Sequence, residues 1–190
     1  MKTKLVLHIC CAPDEAWVVK SLQAEYELFC FFCNPNIQPE DEYKKRLKEA
    51  EKVARIYSVP IANDHYMPEL WEKATHGLEH TPEGGERCMR CFLLRLKRTA
   101  RFCQELGWAL FTTVMSISPH KRIEMLNSAG KQAAEEYGVS YKEFDFKKKD
   151  GFINSIKLSR ELDLYRQDYC GCLLSKKERD KRNLQKQKAE

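Results

Sequence analysis

Short apolar runs alternate with amphipathic stretches along most of the chain, and this alternation restricts the fold more than any other feature. Leu5 to Ile9 reads as a buried strand, and Pro13 opens a helix carrying Trp17, Val18 and Leu22. Glu27 to Cys33 is an aromatic strand closed by the Asn34-Pro35-Asn36 turn. A charged helix from Tyr43 to Tyr57 leads to a third strand at Val59 to Ala62, then to a helix through Leu70, Trp71 and Ala74. After Gly84-Gly85 come a long helix from Cys88 to Leu106, a strand from Trp108 to Val114, a helix from Ile123 to Tyr137 and a strand from Val139 to Phe144. Ser155 to Tyr165 is the last helix expected before the final cysteines. Such alternation implies an α/β fold, a parallel sheet with helices on both faces in three layers. Residues 1–175 form one domain on this reading, and residues 176–190 a basic polar tail, frayed or disordered.

Ligands of parallel sheets bind beyond the carboxyl ends of the strands. Cys10 and Cys11 follow the first strand directly, and Ser116 to His120 leave the fourth at the same edge. Nine cysteines are present, an odd number that a disulfide framework would not use fully. In a reducing cytoplasm, the compartment expected here, such a density points to metal or catalysis. Three groups stand out: Cys10-Cys11 with Asp14, the Cys88-Met-Arg-Cys91 that opens a helix, and Cys170-Gly-Cys172. Arg87, Arg90 and the helix N-terminus favour thiolate at Cys88 and Cys91. Four thiolates satisfy a structural zinc or a [4Fe–4S] cluster, so six sulfurs and a carboxylate exceed one centre and suggest chemistry. Cys30 and Cys33 are separated by an odd step in a strand, point to opposite faces and read as core, as does Cys103. His8 reads as a buried, satisfied histidine, and His120 is a candidate proton donor at the ligand edge.

Six basic residues and no acid lie between Arg87 and Arg101, and seven basic residues against three acids follow from Lys176 to Glu190. With Lys147 to Lys149 these clusters suggest a phosphate-rich partner. No apolar stretch is long enough to span a membrane, and Asp14 interrupts the N-terminal apolar run before any signal-peptide pattern develops.

The segments His8-Ile-Cys-Cys-Ala-Pro-Asp14, Asn34-Pro-Asn-Ile37, Cys88-Met-Arg-Cys-Phe92 with Arg95 and Leu96, Ser118-Pro119, Asp145-Phe-Lys-Lys148 and Leu164-Tyr-Arg-Gln-Asp-Tyr-Cys-Gly-Cys172 resemble the QueH type of epoxyqueuosine reductase, over about Leu5 to Ser175. The resemblance implies the last step of queuosine synthesis, reduction of epoxyqueuosine at the wobble position of tRNA, without cobalamin. It implies the adenine-nucleotide-hydrolase-like, PP-loop-related fold. It also implies a [4Fe–4S] cluster beside a second metal ion, expected to be iron, with Cys10, Cys11, Asp14, Cys88, Cys91, Cys170 and Cys172 as ligands undivided between the two. Asp14 is the expected catalytic residue, and an external donor such as a ferredoxin or flavodoxin would supply electrons. Cys10 to Asp14 stand where a PP-loop would bind phosphate, so ATP use is not expected. The basic helix from Cys88 and the tail would grip tRNA phosphates, with Tyr165, Tyr169 or Trp17 as stacking candidates. The rival readings are a PP-loop-like iron–sulfur tRNA thiolase and a zinc-stabilised nucleic-acid-binding module.

Overall fold

The computed structural model describes residues 1–188, so the last two residues of the expected tail lie outside the described residues. Five strands, β1 (Thr3–Ile9), β2 (Tyr26–Phe32), β3 (Ile61–Asn63), β4 (Leu110–Thr113) and β5 (Ser140–Tyr141), form one sheet in the order β3-β2-β1-β4-β5. All pairings are parallel. The helices are α1 (Ala12–Leu22), α2 (Glu40–Ile56), α3 (Pro68–Thr75), α4 (Glu86–Glu105), α5 (Ile123–Tyr137), α6 (Gly151–Glu161) and α7 (Leu173–Gln187). Helix α1 packs against α2 and α6, whereas α4 packs against α5 and α3. The chain steps outward from β1 to β3, then crosses to β4 and steps outward again. Right-handed crossovers in opposite directions place helices on opposite faces, giving the three layers expected.

Central β1 buries Leu5, Val6, Leu7, His8 and Ile9 completely, the continuous apolar burial of a strand covered on both faces. Beside it, Phe31 stacks on Phe102 of α4 at 4.2 Å between ring centroids. Cys30 lies by Glu15 of α1 and Cys33 bonds Asp64, so the two occupy the separate core positions that odd spacing requires. Cys103 is also core.

The observed β3, β4 and β5 begin one to two residues later than the apolar runs suggest. In each case the first apolar residue closes the preceding helix. The Val59 N–H donates to Ala54 O at 2.9 Å, Trp108 to Cys103 O at 3.0 Å and Val139 to Ala134 O at 3.1 Å. Each follows a positive-φ residue: Ser58, Gly107 and Gly138 respectively. The same device ends α6, where Leu164 N–H donates to Ser159 O at 2.9 Å after Asp163. Helix α6 therefore spans Gly151–Glu161 rather than Ser155 to Tyr165, and an irregular segment delivers the last cysteines. Helix α7 replaces most of the expected frayed tail. Among the described residues no helix is long and apolar enough to cross a membrane.

Candidate metal centre

Each cysteine group sits at a helix N-terminus. Cys11 is the N-cap of α1, in extended backbone, with Ala12 and Pro13 as its first helical residues. Cys88 and Cys91 occupy the start of α4, and Cys88 Sγ accepts the Gly84 N–H at 3.2 Å. Cys172 is the N-cap of α7, its sulfur accepting the Ser175 N–H at 3.4 Å. Backbone N–H groups at the starts of α4 and α7 therefore donate to the sulfurs of Cys88 and Cys172, an arrangement that favours thiolate.

The six divide into two groups. Cys10 and Cys11 Sγ are 3.8 Å apart, and Cys10 Sγ is 3.6 Å from Asp14 Oδ2. One ligand atom from each of these residues falls within 4.8 Å of the others. Cys88, Cys91, Cys170 and Cys172 line a second, narrow apolar cavity with Trp71 and Phe92. Cys170 also lines the main cavity, about 620 Å³, into which Cys10 and Asp14 open. The two donor sets are thus neighbours sharing a wall. Four thiols fit an iron–sulfur cofactor, while two thiols and a carboxylate fit a single ion with an open position.

Burial opposes the helix ends. It pushes the Cys91 thiol up to about 12 and raises Cys88 and Asp14 as well. Cys10 is pulled down by its hydrogen bond with Cys11, while the same bond and then burial push Cys11 well up. Burial therefore favours the protonated forms of Cys11, Cys88, Cys91 and Asp14, and a bound cation must displace the protons they hold. Lys121 brings its Nζ to 3.8 Å from Cys170 Sγ. Burial works against its charge, but Cys170, Cys10 and Asp14 together hold the ammonium above its ordinary value.

The segment carrying Cys170 is held by Arg46, which is 2 % exposed. Its guanidinium bonds Cys170 O at 2.9 Å, Tyr169 O at 3.2 Å and Glu42 Oε1 at 2.6 Å. Gly171 adopts φ 150°, and a Cβ there would approach Asn36 Nδ2 to 2.8 Å and Ile37 Cγ1 to 3.0 Å. Glycine is required for close approach of the chain to the Asn34–Ile37 turn.

All seven residues singled out as ligands in the sequence reach these two groups. His8 is buried and satisfied, its Nδ1 2.9 Å from Thr113 Oγ1 and its Nε2 3.1 Å from Cys33 O. His120 lines the main cavity. The α4 charges expected to grip phosphate carry acidic partners, Arg95 excepted, though Arg90 and Arg101 stay exposed. Arg87 pairs with Glu178, Lys97 with Glu136, Arg98 with Asp64, Arg101 with Glu105 and Arg90 with Glu86. Tyr169 is buried against Arg46 and donates its hydroxyl to Gln38 O at 2.7 Å, whereas Tyr165 is half-buried and donates to Glu42 at 3.0 Å. Trp17 packs against the core. Arg46 and Lys121 were missed. Lys121 follows the Ser118-Pro119 motif, a signal that was available, but nothing in the sequence separates Arg46 from the solvated charges of α2.

Residues 5–178 match the family model described as epoxyqueuosine reductase QueH. Curated relatives carrying that name include the Thermotoga maritima protein, 36% identical over 95% of this chain and 94% of its own length. Another, from Streptococcus pyogenes, is 34% identical over 93% of this chain and 72% of its own. Two solved structures share the fold at 15% identity. The predicted subunit of a tRNA methyltransferase from Methanocaldococcus jannaschii superposes with TM-score 0.55, covering 84% of this chain and 76% of that one. The U34-tRNA thiolase NcsA from Methanococcus maripaludis, with its [4Fe-4S] cluster, gives 0.53 over 97% and 66%. The parallel sheet is thus of the PP-loop-related kind, and with a family model spanning nearly the whole chain and relatives above 30% identity, this protein belongs to the epoxyqueuosine reductase QueH family.

Proposed function

We propose that this chain reduces epoxyqueuosine to queuosine in tRNA, with Cys88, Cys91, Cys170 and Cys172 holding a [4Fe–4S] cluster and Cys10, Cys11 and Asp14 holding one further metal ion, iron in our reading. The observation that carries it is the division of one sulfur-rich edge into a four-thiol set and a two-thiol, one-carboxylate set that share Cys170 as a wall. When bound, the two groups would supply electrons one at a time and a Lewis acid.

Opening an epoxide to an alkene and water consumes two electrons and two protons. The main cavity offers the protein's contribution. Phe152 and Ile37 provide apolar wall, while Gln167 presents an Oε1 that is buried without a partner and able to accept from a substrate N–H or O–H. Lys121 Nζ, cationic beside Cys170, donates a proton or hydrogen bond where the departing oxygen gathers negative charge. Asp14 opens to the same space and combines ligation with proton handling. Arg166 and Arg182 line that cavity, and the remaining cations of α7 extend the positive surface, suited to anticodon-loop phosphates. Residues 1–175 act as the catalytic unit in this reading and 176–190 as a basic extension. A low-potential carrier such as a ferredoxin or flavodoxin delivers the electrons; neither ATP nor cobalamin has a part.

Anaerobic purification with iron and sulfide assay, followed by reduction of epoxyqueuosine-containing tRNA with a chemical reductant, tests the proposal. About four sulfides per chain and queuosine formation are expected. A chain that binds only zinc, or that carries iron and sulfide yet leaves the epoxide intact, refutes it.

A further inference from the structure

Three arginines are among the largest side chains the fold buries completely: Arg46, Arg87 and Arg95. Two of them bring a carboxylate with them, Glu42 for Arg46 and Glu178 for Arg87. Arg95, 2 % exposed, does not. Its Nη2 donates to Asn34 Oδ1 at 2.6 Å and its Nε to Cys33 O at 3.4 Å, both neutral acceptors. Among the described residues no carboxylate forms an ion pair with it. An isolated buried charge is strongly destabilising, and proteins keep one only where something opposes it.

The surroundings identify the missing anion. Arg95 lies one helical turn beyond Cys91 on α4 and lines the main cavity with Cys10 and Cys170. The ionisable groups that bear on its charge are Cys91, Cys10, Cys170 and Cys33, three of them assigned above as ligands. A guanidinium keeps its proton throughout the accessible pH range, so it is a fixed charge in a low-dielectric interior.

From this geometry we infer that Arg95 is the built-in counter-ion of the iron–sulfur centre, a positioning residue that holds cluster charge in the protein and favours the reduced state. Reduction adds one negative charge to a group already bearing four thiolates, and a permanent cation one helical turn from Cys91, in the wall that also holds Cys10 and Cys170, stabilises that charge. The inference rests on the assignment of the four-cysteine cluster made above. It extends that assignment to a residue that touches neither substrate nor metal.

The test is a potentiometric titration of the anaerobically loaded protein, followed by absorbance and electron paramagnetic resonance, on wild type and three variants. Arg95→Gln removes the charge. Asn34→Asp leaves Arg95 in place but supplies the carboxylate it lacks. Arg95→Lys keeps a cation while losing the guanidinium bonds. Both neutralising variants are expected to lower the reduced-to-oxidised ratio at fixed potential at least about tenfold, equivalent to roughly 59 mV for one electron. Arg95→Lys should stay within about threefold of wild type. Loading by wild type and Arg95→Lys but by neither neutralising variant also supports the counter-ion role. An unchanged ratio in either neutralising variant overturns it, as does loss of the cluster from Arg95→Lys along with the others, which would make the guanidinium's shape decisive. Wild type without iron and sulfide sinks the cluster assignment and this inference together, whereas a loaded wild type with unshifted variants sinks only the inference.

Discussion

Replacing Arg46 by alanine should separate the clasp on the Cys170 segment from the rest of the fold. The guanidinium is buried, bonds two carbonyls of that segment and pairs with Glu42, whose side chain is 12% exposed. Removing one partner of a buried pair costs about 3–5 kcal/mol. Glu42 keeps the Tyr165 hydroxyl at 3.0 Å and some solvent, so the lower end of that range applies to the pair. The abandoned Cys170 and Tyr169 carbonyls add about 1 kcal/mol, for a total near 4 kcal/mol. For a chain of this size that is a fall in melting temperature of about 8–16 °C. Thermal unfolding of the metal-free chain followed by circular dichroism reads the stability, and iron per chain after anaerobic reconstitution reads the site. Iron should fall disproportionately, because the lost bonds end on the backbone of Cys170, a proposed ligand, and its neighbour. Arg46→Lys restores the pair with Glu42 but cannot span both carbonyls, and should recover about half the loss. A melting temperature within 2 °C of wild type for Arg46→Ala, with full iron content, would show that the clasp does not matter.

Asp14→Ala should abolish epoxide reduction while leaving the iron and sulfide of the four-cysteine set in place; full turnover would refute its role. At Gly171, alanine meets Asn36 and Ile37 from a positive-φ position, so Gly171→Ala should lose most cluster colour without a large change in helix content. Gly151→Ala is a purely structural contrast: its Cβ would fall 1.8 Å from Phe146 O, and the melting temperature should drop with whatever cluster remains behaving normally. For Asp64, burial works to raise the carboxyl, but Arg98 and the Cys33 thiol hold it below its usual value. A depressed folded value means that its stabilisation, about 2 kcal/mol for charge-assisted hydrogen bonds, is present above the unfolded value and lost as pH falls through the folded one. The urea midpoint gap between wild type and Asp64→Asn should therefore be wide at pH 7 and narrow near pH 3; an equal gap at both would contradict the ion pair.

The layers and the sheet edge that carries Cys10 and Cys11 were legible in the sequence because they depend on local pattern. A continuous apolar run such as Leu5–Ile9, followed at once by Cys10 and Cys11, fixes both the central strand and what stands at its end. Strand starts were misread for one physical reason. Val59, Trp108 and Val139 are apolar because they cover helix ends, and their N–H groups are spent on carbonyls five residues back. Gly107 and Gly138 announce this, whereas Ser58 does not. Charge was the least legible feature. The run of cations in α4 looks like a phosphate-binding face, yet its partners Asp64, Glu136 and Glu178 come from other elements and are invisible to any local window. The division of the cysteines into two groups was hidden for the same reason: α7 and the turn at Asn34–Ile37 must dock before Cys170 and Cys172 share a cavity with Cys88 and Cys91.

The placement of the cysteines follows from what the doubly wound sheet already offers. Between β1 and β4 the chain changes direction across the sheet, and the loops leaving those strands part to form a crevice. In nucleotide-binding relatives of such folds a helix N-terminus in that crevice meets phosphate. Here α1 begins at the same edge, but Cys11 is its N-cap and Asp14 lies in its first turn. The dipole that would neutralise a phosphate is turned toward thiolate and carboxylate instead. Two more helices, α4 and α7, bring their N-termini and cysteines to the neighbouring cavity. Exchanging the anion from a ligand's phosphate to the protein's own sulfur thus requires no new architecture, only cysteines at helix starts and two cations, Arg95 and Lys121, in the cavity wall that holds Cys10 and Cys170.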